Sequence, residues 1–160
     1  MKVLIATDGS EFSNEAIKKC CRIINKTDNL EIKVVSVYER VPLIGTEPFA
    51  VSAEYINDMG NAMKKEAEDY IEKAVKIINK ALTDCSFELT TKVEMGIPEQ
   101  EILETARDWN ADLIAVGSHG RGFWGRTMIG STSDAIVHNA HCPVLVVQKA
   151  EKAKAKSGND

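Results

Sequence analysis

Five short apolar runs rich in β-branched residues alternate with stretches of helical periodicity, and this alternation constrains the fold more than any other feature of the chain. The first run, Lys2 to Ala6, ends in Thr7-Asp8-Gly9-Ser10, a turn and helix-start signal. Phe12, Ala16, Ile17, Cys20, Ile23 and Ile24 then recur at helical spacing and predict one apolar face. Ile32 to Tyr38 reads as a second strand, followed by a loop from Arg40 to Ala50 that holds Pro42, Gly45 and Pro48. A long amphipathic helix is predicted over Ser52 to Leu82, with its stripe at Ile56, Met59, Met63, Ala67, Tyr70, Ala74, Ile77 and Ala81.

Phe87, Leu89, Thr91, Val93 and Met95 alternate with polar residues and predict a third strand with one more exposed face. Pro98 suits the first turn of a helix whose face is Ile102, Leu103, Ala106 and Trp109. Asp112 to Val116 forms a fourth strand, a helix is expected from about Ser131 to Asn139, and Pro143 to Val147 forms a fifth strand. A βαβαβαβαβ order with strongly apolar central strands calls for a mostly parallel sheet covered by helices on both faces. Right-handed crossovers make that a doubly wound α/β fold. Ligands of such sheets bind outside the carboxyl ends of the strands, where the winding reverses. The segments to inspect are therefore Thr7 to Ser10, Tyr38 to Arg40, and the glycine-rich stretch from Gly117 to Ser133.

Composition narrows the ligand. Twenty Lys and Arg against twenty-four Asp and Glu give a formal charge of -4, which argues against a nucleic-acid binder. A small polyanion remains compatible, because backbone amides bind phosphate without net positive charge. No apolar run approaches the ~20 residues of a membrane span, so no membrane partner is expected. Strand-like sequence from Lys2 leaves no room for a signal peptide, and the four cysteines form no CxxC pair; both point to the cytoplasm. The 160 residues suit one domain, over 1–148, with a solvated tail over 149–160 and no separate catalytic domain.

Between Gly117 and Gly130 lie five glycines, counting both ends, and several hydroxyl residues, set between a buried strand and a helix start. Glycine permits close backbone approach to phosphate, and a helix N-terminus supplies amides that point one way. Ser131 or a neighbour is positioned to cap that helix, while Thr132 and Ser133 offer hydroxyls to phosphate oxygens. A Walker A motif is excluded, since no Gly-Lys-Ser/Thr follows four residues after a glycine. Gly120-Arg121-Gly122-Phe123-Trp124-Gly125 matches a dinucleotide fingerprint literally. It opens no helix at once, however, and the position ~20 residues on is Leu145 rather than an acidic residue.

What fits is the spacing Gly117, Gly120, Gly130, Ser131, together with Ile5 to Ser10, Gly96-Ile97-Pro98, Val116 to Gly122, and Cys142 to Val147. On these motifs the chain resembles the universal stress protein family, specifically its ATP-binding branch, over about residues 1–148. The resemblance implies a five-stranded parallel sheet ordered 3-2-1-4-5 and a homodimer paired through the last strand, Pro143 to Val147. It implies that Asp8, with Thr7 beside it, lies by the nucleotide, and that the backbone of Val37 contacts adenine. It further implies that Gly117, His119 and Gly120 line the ribose and phosphate region, and that Gly130, Ser131, Thr132 and Ser133 hold the phosphates.

The function so implied is an ATP-binding, homodimeric stress-response regulatory module, read by a regulatory protein partner. AMP or ADP is an alternative ligand, and Mg2+ or Mn2+ would arrive with the nucleotide near Asp8. No resident metal is expected, because His138 and His141 near a helix C-terminus make no metal set with cysteine. Asp8 also reads as a plain helix-start residue, and His119 as a loop histidine in polar contact or as a general base. Arg121 and Arg126 either close over a triphosphate or stay exposed; Phe123 and Trp124 cover the ligand, pack a dimer interface or anchor the loop. With no P-loop lysine and no evident water-positioning residue, at most slow hydrolysis is expected. A slow ATPase, an enzyme autophosphorylating at Ser131 or a neighbour, and a nucleotide-free interaction protein are the competing readings.

Overall fold

The computed structural model describes residues 1–39, 53–120 and 129–148. The expected loop over 40–50, Arg121, Phe123, Trp124, Arg126 and the tail over 149–160 lie outside the described residues. The elements run β1 (Lys2–Ala6), α1 (Glu11–Ile24), β2 (Leu30–Tyr38), α2 (Ala53–Ala81), β3 (Phe87–Met95), α3 (Pro98–Trp109), β4 (Leu113–Gly117), α4 (Ser131–Asn139) and β5 (Val144–Val147). All four strand pairings are parallel and the sheet order is β3-β2-β1-β4-β5. The doubly wound sheet and its strand order are as expected, with boundaries shifted by one or two residues.

Alternation of side chains divides the core in two. Val3 and Ile5 of β1 and Ile32 and Val34 of β2 face α1 and α2, against Ile17, Cys20, Ile71, Ala74 and Ile78. Leu4, Ala6, Val35, Ile114 and Val116 face the other side, against Ile102, Leu103, Ala106 and Ile136 of α3 and α4. Strands buried on both faces read as continuous apolar runs, which is why β1 and β4 carry no polar alternation. Each fully buried Ile or Leu contributes roughly 1.5–3 kcal/mol relative to exposure, so the two layers together hold the sheet rigid below the site.

Two helical faces are rotated relative to expectation. In α1 the buried set takes in Cys21 and Ser13, while Ile23 is 64% exposed. In α2 the buried positions are Ala67, Ile71, Ala74, Ile78 and Leu82, not the predicted Tyr70, Ile77 and Ala81. Adjacent apolar residues (Tyr70-Ile71, Ile77-Ile78, Ala81-Leu82) permit either face, and packing against β2 and α1 selects the second of each pair. β3 is an edge strand: Phe87, Leu89 and Val93 pack on the core, but Thr91 and Met95 are exposed.

Local signals set the helix ends around the ligand side. The Ser10 side chain accepts the Ser13 amide at 3.1 Å, a regular N-cap for α1. Ser10→Ala is expected to cost about 1 kcal/mol in urea unfolding, with Ser10→Asp retaining most of it. Unchanged stability of Ser10→Ala would remove the cap from the account. Pro98 opens α3, and Asn110 closes it in the left-handed region with its amide on the Ala106 and Arg107 carbonyls.

The four cysteines are free thiols. Burial, reinforced by neighbouring Cys21, pushes Cys20 up to about 12, and burial with Cys85 nearby pushes Cys21 to about 11. These thiols hold their protons more tightly folded than unfolded, so their contribution to stability is full below pH ~8.5 and is lost as pH rises towards those values. Under native conditions at pH 8, a thiol reagent is expected to label half-buried Cys85 and Cys142 well before Cys20 and Cys21. Uniform labelling would contradict the buried placement.

Candidate functional site

The winding reverses between β1 and β4, and a cavity of about 360 Å³ opens there at the carboxyl ends of the strands. Its apolar wall consists of Ala6, Val35, Val37, Pro98, Ile102 and Val116, and its polar wall of Thr7, Asp8, Ser13, Gly117, His119, Gly120 and Gly130 to Ser133. The structure therefore brings all ten candidate residues to one cavity. Ala6, Val35, Ile102 and Val116 read in the sequence only as core, because nothing in a buried strand or helix face marks which end of it borders a ligand. Pro98 read as a helix start, and that role is what carries it to the rim.

The β1–α1 turn presents Asp8. Its Oδ1 accepts the Ser10 amide at 3.1 Å, leaving Oδ2 on the side of Gly120, where a Cβ would lie 3.2 Å from it. Gly9 has a φ of 73°, and a Cβ there would fall 2.1 Å from the Tyr70 ring. The turn thus needs glycine both for its left-handed backbone and for the ring of α2 that packs on it. Beneath it, Thr7 Oγ1 lies 3.2 Å from Ser13 Oγ and accepts the Gly9 amide at 3.2 Å, while the Ser13 hydroxyl donates to the Ser10 carbonyl at 3.0 Å. Thr7 is buried, and this network holds the turn from inside.

On the opposite wall, β4 ends at Gly117, packed so closely on α1 that a Cβ would stand 2.8 Å from Phe12 C and Ser13 N. Ser118 follows, with its amide on the Val147 carbonyl at 2.9 Å and its hydroxyl 2.9 Å from His119 Nδ1. The His119 ring packs at 52° against Phe12, with centroids 5.2 Å apart. The chain comes back at Gly130, whose amide donates to the Ser118 carbonyl at 2.7 Å.

Of the expected cap positions, Ser131 or a neighbour, it is the neighbour Gly130 that caps α4, so the cap carries no side chain and Ser131 is the first residue of the helix. Amides of a first helical turn lack intrahelical partners and carry the positive end of the helix dipole. Here that turn borders the cavity. Among the described lining residues Asp8 is the one carboxylate, and no Lys or Arg joins it. No cluster of three or more His, Cys, Asp and Glu suited to a metal occurs among the described residues, and none of the described helices is long and apolar enough to cross a membrane.

The structure is thus a doubly wound α/β domain whose cavity, apolar on one wall and polar on the other, lies at the switch point where ligands of such sheets bind. The chain belongs to the universal stress protein family, whose model matches residues 1–148. Universal stress protein MJ0531 of Methanocaldococcus jannaschii is 34% identical over 151 residues, covering 94% of this chain and 84% of that protein. The solved structure of hypothetical protein MJ0577 aligns with a TM-score of 0.76 at 28% identity, covering 94% of this chain and 96% of the other. A universal stress protein crystallised in complex with cAMP shares the fold at a TM-score of 0.64 and 22% identity, covering 94% and 98% of the two chains.

Proposed function

We propose that this chain is an ATP-binding module of the universal stress protein family, acting by its nucleotide-bound state rather than by rapid turnover. The observation that carries the reading is the division of one cavity into an apolar wall and an uncapped helix N-terminus flanked by glycines. A base suits the surface of Val37, Pro98, Ile102 and Val116, and phosphates suit the open amides of Ser131 and Thr132. A related fold holding cAMP is a precedent for such a ligand in this architecture.

The residues also fit a divalent ion carried by the nucleotide. Asp8 stands as the one carboxylate facing a wall suited to anions, and a Mg2+ or Mn2+ between Asp8 and phosphate would relieve their repulsion. The remaining ligands of such an ion would come from phosphate and water. Chemistry beyond binding has little support: no Lys stands among the described lining residues to meet a terminal phosphate. Slow hydrolysis is the most this wall supplies.

Titration calorimetry with ATP, ADP, AMP and adenosine, each with and without Mg2+, tests the reading. Saturable heat with ATP, strengthened by Mg2+, is expected. No binding of any of the four at millimolar concentration would overturn it, leaving a nucleotide-free interaction protein.

Pairing of two copies through β5 belongs to the same proposal. β5 hydrogen-bonds to β4 on one side, and Val144, Leu145 and Val146 are only half-buried at the sheet edge. An apolar open edge is a liability unless it is paired. Light scattering after size exclusion is expected to give twice the mass of the chain, and a monomer at high concentration would count against it. Residence in the cytoplasm completes the proposal, since a reducing compartment keeps four thiols free.

A further inference from the structure

We infer that Ser133 is a positioning residue, whose hydroxyl latches the first turn of α4 to the end of β4 and so aims the phosphate cradle, instead of donating to phosphate itself. The inference rests on the nucleotide reading above for its ligand, but its geometry stands on its own. Ser133 Oγ lies 3.0 Å from the Ser118 carbonyl and 2.9 Å from the Gly130 carbonyl, and the residue is 3% exposed. A serine hydroxyl has one proton, and two carbonyl acceptors already share it. What remains for a phosphate is lone pairs, which repel an anion.

The partners of this hydroxyl explain what it does. Ser118 is fully buried and tied by its amide to Val147 of β5, so its carbonyl is a fixed point of the sheet. That carbonyl accepts both the Gly130 amide and the Ser133 hydroxyl, while the Gly130 carbonyl accepts the Asp134 amide as well as Ser133. Ser118, Gly130 and Ser133 form a closed triangle across the two ends of the glycine-rich stretch. Gly130 has no side chain with which to cap α4, so Ser133 is the side chain that fixes the pitch of the first turn. The amides of Ser131 and Thr132 take their direction from it, and their hydroxyls, nearer the surface, stay available to a ligand.

The test uses the full chain as wild type, Ser133→Ala and Ser133→Thr, with two readouts. Hydrogen exchange followed by NMR is expected to show the Gly130 amide of Ser133→Ala exchanging at least about tenfold faster, relative to the core amide of Ala115, as a lost hydrogen bond requires. Calorimetry is expected to show ATP weakened about five- to tenfold in Ser133→Ala with adenosine within about twofold, and both properties restored in Ser133→Thr. Unchanged Gly130 exchange in Ser133→Ala would overturn the latch. So would faster exchange with undiminished ATP binding, equal losses of ATP and adenosine, or failure of Ser133→Thr to restore while Ala115 exchange stays native. If wild type binds no ATP, the nucleotide reading fails, and the Gly130 amide alone decides the latch.

Discussion

Replacing Gly117 by alanine is expected to lower stability by about 1–3 kcal/mol, the ordinary cost of forcing a methyl into a filled site. The new Cβ would stand 2.8 Å from Phe12 C and Ser13 N. Both are backbone atoms of the first turn of α1, and no rotamer change can move them away. Either β4 shifts in the sheet or α1 lifts from it, and the second displaces Ser13 from Thr7 at the end of β1. Urea unfolding is the measurement: the midpoint should fall while the slope stays constant, because the surface exposed on unfolding is the same. A loss below about 0.5 kcal/mol, the level of a neutral surface change, would mean that α1 and β4 are less tightly joined than described. Nucleotide affinity should fall too, since Asp8 rides on the turn that α1 anchors.

The second large effect is at Gly130, and its character is different. Its backbone, at φ -65° and ψ 154°, suits any residue, so a side chain there meets no conformational strain. The constraint is space: a Cβ would lie 3.2 Å from the Ser118 carbonyl oxygen and 3.5 Å from His119 Cα. Valine adds two methyl groups to that crowding, wedging α4 from β4 and covering the amides that face the cavity. ATP affinity of Gly130→Val is expected to drop on the order of a hundredfold, about 2.7 kcal/mol, with adenosine changed no more than a few-fold. Calorimetry with the two ligands separates the outcomes. Equal losses would place the damage in the fold and deny the cradle its phosphate role.

Much of this was legible from the chain alone, for reasons that differ by region. The sheet could be read because β1 and β4 are buried on both faces, and a doubly wound order covers such central strands with the helices that alternate with them. The ends of the apolar runs point to the turn after β1 and to the glycine-rich stretch, whereas the individual roles of the ten candidate residues come from the family resemblance. The stripe of α2 could not, since Ile77 and Ile78 are equally apolar and only the position of β2 distinguishes them. Ile23 and Cys21 present the same ambiguity on α1. Least legible was the direction of the hydroxyls. Thr7 is expected beside the nucleotide and Ser133 at the phosphates, yet both hydroxyls are engaged with the protein's own polar groups. That follows from the close approach of Ser13 and Ser118, neither of which is singled out as a site residue by the sequence.

The return of the chain to Ser118 at Gly130 also bears on how such a domain can change over time. Because Ser118 is fastened to the start of α4 by the Gly130 amide and the Ser133 hydroxyl, the two anchor points do not depend on the sequence between them. Doubling the length of a flexible connection between two fixed points costs only about 0.6 kcal/mol in closure entropy. Duplicated copies of this chain could therefore exchange or lengthen that segment while keeping the sheet and the cavity wall, and so acquire different partners around the same pocket.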